Sequence, residues 1–135
     1  MSFMAWDESF SVGVVTIDQQ HARLFAMVNE LHAAMMKGQA KAVVGALLDS
    51  LVKYTMEHFA YEERMMDEAK YPGFVTHSVH HVDLTRQVEE FMARYKRGDG
   101  TVNVELLPFL SGWLTQHIQI EDKQYGPWMN SHGVH

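Results

Sequence analysis

The chain has 135 residues, 47% hydrophobic and 21% charged, which is enough for one core and too little for two. Lys and Arg number 11 against 17 Asp and Glu, a formal charge of −6 with no basic cluster, so nucleic acid and anionic membrane are poor partners. Cysteine is absent, which excludes disulfides, thiol catalysis, Cys-ligated zinc and iron–sulfur clusters.

In chain order, residues 1–17 read as an extended arm. Its Trp6, Phe10, Val12, Val14 and Val15 would lie across an apolar surface. The segment Met1 to Phe10 lacks the basic and apolar regions of a secretion signal, so the cytoplasm is the expected location. A first helix is expected from Asp18, as N-cap, to Lys37, with Gly38 as the stop. A second runs from about Lys41 to Ala69 and is halted by Tyr71-Pro72-Gly73. A third covers about Val75 to Lys96, before Gly98-Asp99-Gly100. The fourth begins near Asn103, takes Pro108 into its first turns and ends around Tyr125, leaving residues 126–135 as a tail. Strand signals are missing and no apolar run reaches the roughly 20 residues of a membrane span, so no membrane insertion is expected. Short connections make neighbouring helices antiparallel. The expected fold is therefore all-α: a single domain formed by an up-down-up-down four-helix bundle over residues 18–125 with an N-terminal arm.

Each helix carries an inward seam with steps of three and four. The seams read Ile17, His21, Leu24, Val28, Leu31, Met35; then Val44, Leu48, Leu51, Thr55, His58, Glu62, Met65, Ala69; then His77, His81, Leu84, Val88, Phe91, Tyr95; then Leu107, Leu110, Leu114, His117, Glu121. Polar residues interrupt each of them. They fall at the start of helices 1 and 3 and toward the end of helices 2 and 4, which in this topology is the same end of the bundle. A lone histidine in a seam is ordinarily a satisfied core residue. Five imidazoles with one or two carboxylates at one level form a poor hydrogen-bond network, because imidazoles repel when protonated and lack acceptors when neutral. A pair of transition-metal ions resolves the conflict. Of the other histidines, His80 is expected on a solvated face with Asp83, Gln87, Glu90 and Arg94. His32 flanks its seam, and His132 and His135 belong to the tail. The ten methionines, Met36 and Met56 among them, read as flexible core filler.

The sequence resembles the hemerythrins, in particular the single-domain bacterial ones, over nearly its whole length. The residues that carry the resemblance are Trp6 and Val12-Gly13, Ile17-Asp18-Gln19-Gln20-His21, His58-x-x-x-Glu62, His77-x-x-x-His81 and Trp113-Leu114-x-x-His117-Ile118-x-x-x-Asp122. The resemblance implies two iron ions without haem. His77, His81 and His117 would hold one and His21 and His58 the other, with Glu62, Asp122 and a solvent oxo or hydroxo bridge shared. It implies dioxygen as ligand, bound as peroxide on the iron with two histidines, for storage, transport or delivery, with no substrate turned over. An apolar oxygen pocket is expected from Leu24, Phe59, Trp113, Leu114 and Ile118. The expected state is a monomer, and an oxygen-consuming enzyme is the partner that delivery would require. An oxygen or redox sensor, or an enzyme acting on peroxide or nitric oxide, are the alternatives at the same irons. A carboxylate-rich oxidase is disfavoured because no glutamate has a histidine three positions on.

Spacing and resemblance part at one point. From His117 the same-face residue four on is Glu121, whereas Asp122 lies about 140° around an ideal helix. Asp122 can bridge only if the helix loosens there, as a π-type turn would allow; Glu121 is the rival.

Overall fold

The computed structural model describes residues 3–135; Met1 and Ser2 of the expected arm lie outside the described residues. Four long helices form: α1 (Val15–Met36), α2 (Lys41–Glu68), α3 (Phe74–Lys96) and α4 (Val102–Gln116). Each packs on two neighbours, α1 on α2 and α4, and α3 on α2 and α4, which closes the four into a bundle. Among the described residues there is no strand, and no helix is long and apolar enough to cross a membrane. The apolar seam residues fill the interior. Ile17, Val28, Leu31, Leu48, Leu51, Leu110 and Leu114 are all fully or nearly fully buried. Leu84, Phe91 and Tyr95 of α3 are only half-buried, so α3 is the helix set least deeply into the core.

The ends depart from the sequence expectations in informative ways. Asp18 is not the N-cap of α1, which starts at Val15. Asp18 lies in the first turn, where its charge suits the helix dipole, and accepts from Ser11 Oγ (2.6 Å) and the Val12 N–H (2.9 Å). Its carboxylate caps the arm's return rather than its own helix. Val15, expected on the arm's apolar side, is instead the exposed first residue of α1. Residues 126–135 are not a loose tail, because Gly126–Ser131 form a short helix, α5. The Gly-Pro pair begins this helix because proline fits a first turn, where its missing N–H is not needed. Met36 and Met56 are exposed, not core filler, whereas Met65 and Met66 are buried.

The arm is folded against the bundle. A short 3₁₀ turn (Glu8–Phe10) sets Phe10 edge-on against Phe25 at 4.8 Å, with Trp6 5.6 Å from the same ring. The arm and α5 approach at backbone distance, since a Cβ at Gly126 would sit 2.3 Å from the Val12 carbonyl oxygen. Asn130 Nδ2 donates to the Gly13 carbonyl beside it (2.9 Å). Gly126→Ala should therefore push the arm away and cost about 1–3 kcal/mol. Thermal unfolding with amide exchange at Val12 and Val14 checks this; an unchanged Tm and unchanged exchange would contradict it.

Candidate metal centre

α1 brings His21 inward, α2 brings His58 and Glu62, and α3 brings His77 and His81. Pairs four apart share a helix face, which is why two residues of α2 and two of α3 point to one spot. The fourth contribution needs a change of helix type. Beyond α4 the chain continues as a π-helical segment, His117–Glu121, followed by a 3₁₀ turn, Asp122–Tyr125. The Asp122 N–H bonds back to the His117 carbonyl, a five-residue turn. That turn puts Asp122 on the same side as His117, with Oδ1 3.0 Å from His117 Nε2. Glu121, the rival, stays outside the cluster. One of its oxygens accepts from His117 Nδ1 and the other lies 2.7 Å from His80 Nδ1. His80 is accordingly half-exposed and tied to Glu121 rather than standing free on the solvated face.

The seven expected ligand residues all meet, and all are at least 95% buried. Their ligand-capable atoms form two overlapping sets, each within 4.8 Å of one another: His77, His81, His117, Glu62 and Asp122, and His21, His58, Glu62 and Asp122. The two carboxylates belong to both. Asp122 divides its oxygens, with Oδ1 2.9 Å from His77 Nε2 and Oδ2 3.0 Å from His21 Nε2. Glu62 Oε1 is 2.5 Å from His58 Nε2, and Oε2 faces His77 at 3.7 Å.

These contacts are not a satisfied hydrogen-bond network. His21 Nε2, His58 Nε2, His77 Nε2, Glu62 Oε1 and both Asp122 oxygens have no aligned hydrogen-bond partner among the described residues. The Nε2 atoms of His81 and His117 face each other at 3.3 Å. Buried polar atoms in a folded protein are ordinarily paired, and so many orphans aimed at common points call for cations between them. Mixed imidazole and carboxylate donors suit iron, zinc or copper, so the residues fit a pair of such ions.

Protonation points the same way. Burial disfavours charge on His21, His77 and His117, but Asp122 and Glu62 more than reverse this. His21 and His77 rise to about 9, and His117, helped by Glu121, to about 10. Burial works against Glu62 and Asp122 too, yet the surrounding imidazoles hold both well below the carboxylate range. His81 goes the other way, to about 4, through burial and the repulsion of His117 and His77, which together outweigh Glu62. Without metal, protons on three imidazoles take the place of cations.

Sequence reasoning missed the supporting role of four residues. Tyr125, fully buried, donates its hydroxyl to Glu62 Oε2 (2.8 Å). His58 Nδ1 donates to Gln20 Oε1 (2.5 Å), and His81 Nδ1 reaches Glu63 Oε2 at a long 3.4 Å. Glu121 does the same for His117. Acceptors on the outer nitrogens turn each Nε2 lone pair inward. Gln20 had one usable signal, its place beside His21; the partners on other helices had none.

The residues expected to line an oxygen pocket are buried: Leu24 1%, Phe59 4%, Trp113 8%, Leu114 1% and Ile118 1% exposed. Phe59 stacks on His81 at 3.8 Å and meets Trp113 edge-on at 5.9 Å, and Trp113 lies 6.1 Å from His117. Trp113 therefore lies against the three-histidine set, whereas Phe59 also comes within 6.0 Å of His58 and touches both sets. Leu24, Leu114 and Ile118 belong to the continuous hydrophobic core.

The shifts fix a pH prediction for metal-free protein. An imidazole pKa raised in the fold contributes stability that is complete below the ordinary 6.5 and is lost as pH climbs to about 9 or 10. Lowered carboxylates contribute above their ordinary range and lose it as pH falls. His81, lowered to about 4, must stay neutral in the fold and costs stability as pH falls below 6.5, so chelator-treated protein should be most stable near pH 6.5 and should weaken steadily toward pH 10. Metal loading should abolish the alkaline weakening. Denaturant unfolding across this range tests it; a flat alkaline limb in metal-free protein would contradict it.

Comparison with known proteins agrees. The family model described as hemerythrin HHE cation binding domain matches residues 12–129. A bacteriohemerythrin of Stenotrophomonas maltophilia is 38% identical over 98% of this chain and 85% of its own length. One of Methylococcus capsulatus is 33% identical over 97% of this chain and its full length. A myohemerythrin of Riftia pachyptila is 33% identical over 89% of this chain and 88% of its own. The crystal structure of a wild-type hemerythrin superposes with a TM-score of 0.87 at 33% identity, covering 93% of this chain and 97% of that one. From its sequence and its fold alike, this chain belongs to the hemerythrin family.

Proposed function

We propose that the chain binds dioxygen reversibly at a non-haem di-iron centre and serves as an oxygen carrier or store in the cytoplasm, not as an enzyme. The observation that carries this reading is the unequal sharing of donors. His77, His81 and His117 with Glu62 and Asp122 offer five protein donors to one ion, and His21 and His58 with the same carboxylates offer four to the other. The position with fewer protein donors is the one that would accept a small gas. When bound, the irons supply one electron each to dioxygen and recover both on its release.

The chain's own residues set the conditions for that exchange. Tyr125 fixes Glu62 through its hydroxyl, and Gln20 fixes the ring of His58. Leu24, Phe59, Leu114 and Ile118 are buried and apolar, which supports their lining the gas position; gas held among them would face few proton donors. Trp113 is the exception in kind, with an indole N–H buried without a partner among the described residues.

The reading predicts a visible absorption band when reduced, iron-loaded protein meets oxygen. The band should vanish when the gas is removed, with one dioxygen taken up per two irons. Asp122→Ala should abolish the reversible band, whereas Glu121→Ala should leave a second iron in place. Steady consumption of peroxide with no reversible uptake would contradict the carrier reading.

A further inference from the structure

We propose that the two ion positions fill in a fixed order, the three-histidine position first, and that Glu121 is the positioning residue that enforces this order. The inference rests on the ligand assignment proposed above and goes beyond it, because it concerns what stands behind the ligands rather than the ligands themselves.

The outer nitrogens of the five imidazoles are backed unequally. On the three-histidine side, His117 Nδ1 donates to the Glu121 carboxylate and His81 Nδ1 reaches that of Glu63. On the two-histidine side, His58 Nδ1 donates to the neutral amide of Gln20, and His21 Nδ1, buried, has no partner among the described residues. A carboxylate on the outer N–H pushes electron density through the ring and makes Nε2 a stronger donor; an amide does this weakly, and an unpartnered nitrogen not at all. One side therefore has two strengthened imidazoles, and the other has none.

Glu121 also organises the site mechanically. Its second oxygen lies 2.7 Å from His80 Nδ1, and His80 is on α3 between His77 and His81. The π segment that carries His117 is thus clamped to the helix that carries the other two histidines. The elements that carry all three rings are tied together, and the outer nitrogens of two of the rings, His81 and His117, are held as well, which lowers the ordering cost of the first binding step. His21 and His58 come from two helices, α1 and α2; their rings meet edge-on at 4.7 Å, and the one hydrogen bond that ties either outer nitrogen is that of His58 to neutral Gln20. The resulting prediction is a metastable one-ion state with the three-histidine position occupied.

The experiment is a cobalt(II) titration of metal-free protein, with affinities measured against a competing chelator and the occupied position read from paramagnetic shifts of the histidine ring protons. Two steps should appear, the first shifting His77, His81 and His117 and the second His21 and His58. Glu121→Gln keeps an acceptor but removes the charge, and should weaken the first step by about 10–100-fold while leaving the second unchanged. Gln20→Glu, which tests the same idea from the opposite side, should strengthen the second step and bring the two together. A single step, first occupancy at His21 and His58, or a Glu121→Gln protein with native first-step affinity would overturn the inference while leaving the two-ion reading intact. Native protein whose histidine signals ignore cobalt altogether would overturn both.

Discussion

Two carboxylates with no exposure at all, Glu62 and Asp122, lie side by side at one level of a helical bundle, and compensating their charge governs the rest of the structure. A single buried carboxylate costs several kcal/mol unless neutralised, and two together repel as well. Five imidazoles surround them, and three are drawn toward protonation by this demand. Protons are an imperfect answer, because the Nε2 atoms of His81 and His117 still crowd each other at 3.3 Å and six buried polar atoms lack an aligned partner among the described residues. Cations between the rings would satisfy the carboxylates and the imidazoles at once, which is the physical case for a metalloprotein made independently of any relative.

The same demand explains why the last helix is irregular. An unbroken α-helix would carry Glu121 under His117 and turn Asp122 aside. The π turn exchanges these roles, sending Asp122 inward and Glu121 outward to hold His117 from behind. The chain then tightens into a 3₁₀ turn that places Tyr125 on Glu62 and delivers Gly126 to the arm. Departures from regular helix are concentrated where the site and the arm need them, consistent with π turns marking functional positions.

Most of the architecture was legible because helical periodicity is read directly from spacing. The four seams, the polar layer and its position at one end follow from His21, His58, Glu62, His77, His81 and His117 alone. The bridge did not, because ideal geometry selects Glu121 and only the family resemblance selected Asp122. The start of α1 was misplaced because Asp18 has the chemistry of an N-cap but spends it on Ser11 and Val12. α5 was missed because Gly126-Pro127 signals either an end or a beginning, and only the arm packed on Gly126 decides which. Contacts such as Gln20 with His58 join residues 38 positions apart, and nothing local in the sequence announces them.

Anomalous X-ray scattering at the iron edge, from crystals of protein loaded anaerobically with ferrous ion, locates the ions without reference to any relative. Two peaks are expected in each chain, one among His77, His81 and His117 and one beside His21 and His58, with Glu62 and Asp122 reaching both. A single peak, or density in the cage that shows only water, would contradict it.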